Sequence, residues 1–497
     1  MLVTRIALAA TVLVGSWSAA VLAQSQAQIE KSEEGKKLMA AGKFEQAIPV
    51  YRQLSQSVPN NPGMLLNLGM ALHLAGHSRQ AIPPLQSAIK LDAGIAPAWL
   101  FLGEAYLGAG EPARAVRPLK KYVGLQPEDP GGHQTLGDAL LATDAFREAV
   151  VEYKKLAELE ANNPRAWYGL NRSYSALAES AFRVLEKTAP ESGWWLALVA
   201  DERVVRRQFR SAFFFYRRAE ALQPNLPGLH LAIANVYRET GHADWVETEQ
   251  KKEAQSPDCA TMPLACDFAS GRYAELLQRA GQTTAPEAYW QSRASAQLAR
   301  EAFARLEHLP EGAEVHELRA DLMRVRRQNL EAIKEWRMAL NYAPQDEHLR
   351  EGLLASLYQA RDYAAALPLA EELIRENPGS AELNLTKGDI LLSSQEAEKA
   401  IPFLKAAAKS DPKLLAAHHA LGRAYMQVGQ PSAAIPHLEA ALPIDEDGSL
   451  RYQLARAYQA TGQAEAAKKT LEEYQQRQKA DREDKSKLEE ELKITPP

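Results

Sequence analysis

A spacing of 34 residues constrains this chain more than any other feature. Gly35, Gly69, Gly103 and Gly137 stand 34 apart, and Asn171 keeps the phase. The phase returns at Ala200 and Ala234, then at Ala320, Leu354, Gly388 and Gly422, and a last unit centres on Ala455, one residue early. A period of this length marks a repeat array, in which no unit buries its apolar face alone and each stacks on its neighbours. The length agrees, since 497 residues exceed what one hydrophobic core organises. Trp99, Leu102, Gly103 and Tyr106 fall at i, i+3, i+4 and i+7, one apolar helical stripe, and "ARAVRPLKKY" begins a second. Gly103 removes a side chain where the neighbouring helix must approach. Gly108 and Gly110 lie between the stripes, where a helix hairpin needs permissive backbone. A phosphate loop would need GxxxxGK[ST] between a strand and a helix, and this stretch has neither.

Around Gly103 stand Trp99, Leu102, Tyr106, Ala115, Leu119 and Pro127; around Asn171 stand Trp167, Leu170 and Tyr174. Ala212, Tyr216, Ala219 and Pro224 follow Ala200, and Ala332, Trp336, Ala339 and Pro344 follow Ala320 at the same spacings. Here the chain resembles the tetratricopeptide repeat family, whose pattern is W-x2-L-G-x2-Y, then Ala, an aromatic or Leu, and Pro. The resemblance covers Glu30 to Tyr474. It implies an all-α fold, an α-solenoid wound as a right-handed superhelix of about twelve helix-turn-helix units in two blocks. It also implies a non-enzymatic scaffold whose concave surface takes a protein or peptide, with no cofactor.

A longer period is superimposed. "NRSYSALAESAFRVLEKTAPE" aligns with "SRASAQLAREAFARLEHLPE" at an offset of 121, pairing Arg172 with Arg293 and Glu186 with Glu307; Asp201 and Asp321 then match at 120. A multi-repeat block has been duplicated, and each copy is expected to carry a shortened hairpin around "SALAES" and "AQLARE". The phase breaks at the proline- and cysteine-containing stretch before Trp290, which is expected to form an irregular joint with one shortened hairpin. The resulting division is a leader at 1–23, an N-terminal block at 24–256, a joint at 257–286, a C-terminal block at 287–475 and a charged capping helix or tail at 476–497.

The first residues combine Arg5, an apolar run from Ile6 and Val21-Leu22-Ala23, the pattern of a secretory signal peptide cut after Ala23. An uncleaved anchor is the alternative. No later stretch is apolar enough to cross a bilayer, so an exported chain, periplasmic or secreted, is expected. Its formal charge of −5 opposes general binding of nucleic acid. The only cysteines, Cys259 and Cys266, read as a short-range disulfide, because zinc would need two further ligands at usable spacing.

Signals for chemistry are weak. His73 and His77 are four apart, but Leu74 replaces the Glu of HExxH and Gly76 interrupts the helix. His418 and His419 point to different faces. Asp201 and Asp321 occupy equivalent places, as do Arg172 and Arg293, and side-by-side first helices would pair Arg172 with Asp201 and Arg293 with Asp321. The groove is the expected site. Its positions are Leu66, Met70 and His73; Leu100, Glu104 and Leu107; Gln134, Asp138 and Leu141; Tyr168, Arg172 and Ser175; Asn235 and Arg238; and, towards the end, Asp389, His419, Arg423, Tyr452 and Arg456. The early positions are apolar and the later ones polar, which suits a helix or extended peptide at the N-terminal end. Some relatives clamp acidic C-terminal tails with Lys and Asn. Lys36 fits, but Leu66, Met70, Leu100 and Glu104 do not. Two further readings have their own signatures: an accessory role in exopolysaccharide export, with polymer on aromatics such as Tyr168, and an enzyme in the joint, with Cys259 as a free thiol.

Overall fold

In the computed structural model, residues 26–253, 257–281 and 283–497 are described, with the side chains of 480–490 left aside. The leader expected at 1–23 lies outside these residues. Every regular element among them is helical, numbered α1 (26–40) to α26 (Ala464–Glu491) in chain order.

Local chemistry starts and stops the helices where the repeat demands. Asn61 accepts N–H bonds from Gly63 and Met64 at the start of α3 (Pro62–Leu74), and Asp129 does the same for Gly132 in α7 (Pro130–Leu141). Each hairpin turns through one left-handed residue, at Gly42, Gly76, Gly110 and Asp144, and later at Arg327, Arg361, Gln395 and Gly429. Only glycine adopts that conformation without steric cost. First and second helices then pack through the small-residue position. A Cβ on Gly103, in α5 (Ala96–Gly108), would lie 2.4 Å from Cγ of Leu119 in α6 (Pro112–Leu125). Gly388 and Leu404 repeat that contact at 2.4 Å. Ala81, Ala115, Ala366 and Ala400, at one repeated position of the second helices, are fully buried.

The chain forms two compact units. The first comprises residues up to Leu177 together with Ser295–Leu306; the second comprises Ala178–Ala294 and Glu307–Pro497. These limits differ from those of the two sequence blocks, and the reason lies in two long helices. The expected hairpins at "SALAES" and "AQLARE" do not form. Instead α9 runs unbroken from Pro164 to Thr188 and α16 from Ala285 to Glu307. Ala178, next in the series Gly110, Asp144, is helical. The segment around it offers Ala, Leu and Glu, strong helix formers, and no glycine to turn through.

Within the first unit, the end of α16 packs antiparallel on the start of α9. Asn171 donates to the Ala299 carbonyl at 2.8 Å, and Arg305 lies 5.7 Å from the centre of the Trp167 ring. Residues 295–306 thus stand where the second helix of that repeat belongs. Within the second unit, Ser292 donates to the Ala178 carbonyl at 3.0 Å, and Phe182 stacks on Trp195 of α10 (Gly193–Val205). Asn171 and Ser292 are 121 apart, as are Ala178 and Ala299. The same contact is made twice, so the duplicated segments have exchanged their second helices.

The joint contains one short hairpin, α14 (Pro263–Ala269) and α15 (Tyr273–Arg279), turned at Gly271, with Cys259 and Cys266 joined as a disulfide. At the other end no separate capping helix forms. The last second helix continues to Glu491, and residues 492–497 follow without regular structure.

Candidate functional site

In the first unit, α3 contributes Leu66, Met70 and His73, α5 contributes Leu100, Glu104 and Leu107, and all six are half-buried. Their spacing of three or four puts each trio on one helix face. The two faces meet at a polar bridge. Nε2 of His73 lies 3.6 Å from Oε2 of Glu104, while its Nδ1 contacts the Ser78 hydroxyl at 3.3 Å and Phe101 meets the ring edge-on. Burial pushes the His73 pKa down and the Glu104 pKa up, because desolvation penalises the charged form of each. Further along, Gln134, Tyr168 and Arg172 are half-buried, and Asp138 accepts a hydrogen bond from the Tyr153 hydroxyl at 2.5 Å.

In the second unit, α12 (Leu229–Glu239) carries half-buried Asn235 and exposed Arg238, bonded to each other at 3.2 Å. Asp389 accepts from Tyr358 at 2.6 Å and lies 3.4 Å from Arg423. One expected pairing is corrected. Arg293 lies 3.6 Å from Asp201, and Asp321 is 3.1 Å from Arg324 on its own helix. The helix exchange explains this, because it brings α16 to the copy of the block that contains Asp201. Arg293 also donates to the Tyr289 hydroxyl and lies over Phe268, Tyr289 and Trp290, a structural plug rather than an acid or base.

A ladder of pairs escaped the sequence reading. Four residues before the small position stands Trp99 or Trp167, whose indole N–H donates to the carbonyl six residues back, at 2.9 and 2.8 Å. His133 occupies the same position, contacts the Pro127 carbonyl at 2.9 Å, and spends its other nitrogen on Glu152 at 2.7 Å. His230–Glu249 and His316–Glu335 repeat the pairing at 2.7 Å, again 19 residues apart. At the fourth place the partner is another histidine, His418 facing His437 with 3.0 Å between Nδ1 atoms. The signal was present as His four before the small residue and Glu nineteen after the His.

Glu220, His230 and Glu249 bring three potential metal-ligand atoms within 4.8 Å of one another. The chain's own cations already neutralise them. Arg217 bonds Glu220 at 2.6 Å and Lys252 bonds Glu249 at 3.3 Å, so the cluster is a buried ion-pair network that fastens α12 to its neighbours.

Tetratricopeptide repeat family models match residues 33–77 and 75–130, and residues 357–421, 391–449 and 425–485. The chain is a tetratricopeptide repeat protein. Such repeats are in general non-catalytic scaffolds for protein partners. A chicken (Gallus gallus) relative described as DnaJ homolog subfamily C member 3 is 33% identical over 92 residues, which span 18% of this chain and 18% of the relative. The chain therefore matches less than a fifth of that protein. Among solved structures, MamA from Desulfovibrio magneticus RS-1 is 18% identical over 34% of this chain and 96% of its own, with a TM-score of 0.32. A tetratricopeptide repeat protein from Parabacteroides merdae is 13% identical over 67% of this chain and 99% of its own, with a TM-score of 0.33.

Proposed function

We propose that this tetratricopeptide repeat protein is an exported scaffold of the bacterial cell envelope that holds a protein or peptide segment against α3 and α5. The observation that carries the reading is the row of half-buried apolar side chains, Leu66, Met70, Leu100 and Leu107, interrupted by the single bridge between His73 and Glu104. Apolar positions at helical spacing on adjacent first helices suit an amphipathic helix or an extended segment. Export is supported by the leader-like first residues and by the Cys259–Cys266 disulfide, which persists in oxidising compartments. Among the described residues no helix is long and apolar enough to cross a membrane.

The test is crosslinking in the native envelope, comparing the intact protein with a Leu66→Glu, Leu100→Glu double variant of matched helicity. Loss of one dominant protein partner in the variant is expected. An unchanged partner set would overturn the assignment of this groove.

A further inference from the structure

The C-terminal segment does not trail into solvent. The Tyr237 hydroxyl donates to the backbone carbonyl of Thr495 at 2.8 Å, 258 residues away, and Tyr237 is fully buried. Tyr106 occupies the equivalent place three residues after the small position, and its hydroxyl is instead bonded by Gln86 and Arg114 of nearby helices. The surface around Tyr237 differs for a local reason. The second helix of that pair, α13 (Ala243–Gln250), has 8 residues where α6 has 14, so the pair ends early beside the joint. Trp245 and His242 stack on each other there, and Trp245 meets Tyr237 edge-on. Helix α26 spans roughly 42 Å at 1.5 Å per residue, long enough to deliver the segment from the last repeat.

Burial along the segment carries a second, independent signal. Leu492 and Ile494 are half-buried while Lys493 and Thr495 are exposed, the alternation of an extended chain lying on a surface. Pro496 and Pro497 restrict the backbone that follows, which lowers the entropy lost on docking. A tyrosine hydroxyl on a main-chain carbonyl recognises peptide as such, and the alternating apolar residues set the register.

We propose that the surface of α12 and α13 around Tyr237 and Trp245 is a second peptide-binding site, which Leu492–Pro497 occupies in cis. Its external ligand is an extended peptide with apolar residues two positions apart, followed by proline, and it binds by displacing the tail. This surface is separate from the groove of α3 and α5, and its fate is independent of that reading. A tethered segment acts at an effective concentration of order 1 mM, so it weakens binding of a free competitor by about tenfold when the free peptide's own Kd is about 100 µM.

The experiment measures anisotropy of a fluorescein-labelled LKITPP peptide against three proteins: the intact chain, the chain ending at Glu491, and a full-length Leu492→Asp, Ile494→Asp variant. Binding to both altered proteins is expected, about tenfold tighter than to the intact chain, and Tyr237→Phe in either background should weaken it. Equal affinity for all three proteins would overturn the proposal, as would absence of binding to altered proteins that melt with the intact one. If the shortened chain does not fold, the full-length double variant decides.

Discussion

Asn171 donates its side-chain amide to the Ala299 carbonyl at 2.8 Å, across 128 residues of sequence. Ala299 is the counterpart of Ala178, the residue at which a hairpin would have turned, and Ala178 accepts the equivalent bond from Ser292. Each side chain therefore fastens the backbone of the opposite copy where that copy abandoned its turn. Helix exchange at this point reconciles continuous 25- and 23-residue helices with a 34-residue repeat built from pairs.

Continuity of α9 and α16 can be tested with proline. Glu179 and Arg300 are exposed and equivalent in the two copies, so replacing them removes little packing. In a hairpin loop, Glu179→Pro or Arg300→Pro would be nearly neutral. In the middle of a helix each costs about 3 kcal/mol or more. Chemical denaturation of either variant should show a loss of that size, and an unchanged midpoint would contradict the unbroken helices.

A paired glycine test addresses the packing between first and second helices. At Gly103 an added methyl would meet Leu119 at 2.4 Å, whereas Gly124 in α6 is exposed with nothing within 4 Å of the added carbon. Alanine has the better helix propensity by about 1 kcal/mol at either site. Overpacking of roughly 1–3 kcal/mol reverses the sign only at the first. Gly103→Ala should lower the melting temperature and Gly124→Ala should hold or raise it; the same sign at both would refute the close approach.

Helix spacing and the small-residue phase were legible because each is a local consequence of the 34-residue pattern. The same pattern places Leu66 and Leu100 on first helices, where both are half-buried. Exchange was not legible, because the argument that paired Arg293 with Asp321 assumed that helices adjacent in sequence are adjacent in space. The duplication at 121 held the correction, since two copies of a segment that cannot turn back on itself can each complete the other. Docking of Thr495 on Tyr237 has no local signature at all. It depends on where a long helix points.

The buried ion pairs give a direct stability prediction. Glu249 is fully buried and relies on His230 at 2.7 Å, with Lys252 at 3.3 Å and Arg217 at 3.8 Å. Removing the imidazole leaves a buried carboxylate short of a partner, so His230→Leu should cost about 3 kcal/mol. A simultaneous Glu249→Leu replacement removes the stranded charge and should recover most of that loss. Urea titration of the single and double variants distinguishes this from simple loss of packing, in which the second substitution would only add to the first.

Acid sensitivity should centre on the one rung where histidine faces histidine. Burial first, then the neighbouring His418 and Lys405, hold the His437 pKa below its ordinary value of 6.5, and burial also lowers those of His73 and His419. With folded values below the unfolded one, the unfolded chain takes up protons first. Stability is then fully present above pH 6.5 and declines as the pH falls through the window beneath it. His437→Glu would recreate the His–Glu pair found at His133, His230 and His316, and a charge-assisted bond of this kind contributes about 1.5–3 kcal/mol. The variant should be more stable at pH 7, and its loss on acidification to pH 5.5 should shrink, because it lacks the imidazole whose charged form burial disfavours. Denaturant midpoints at both pH values decide the matter: parallel declines for the variant and the parent would remove this pair as the source of the acid sensitivity.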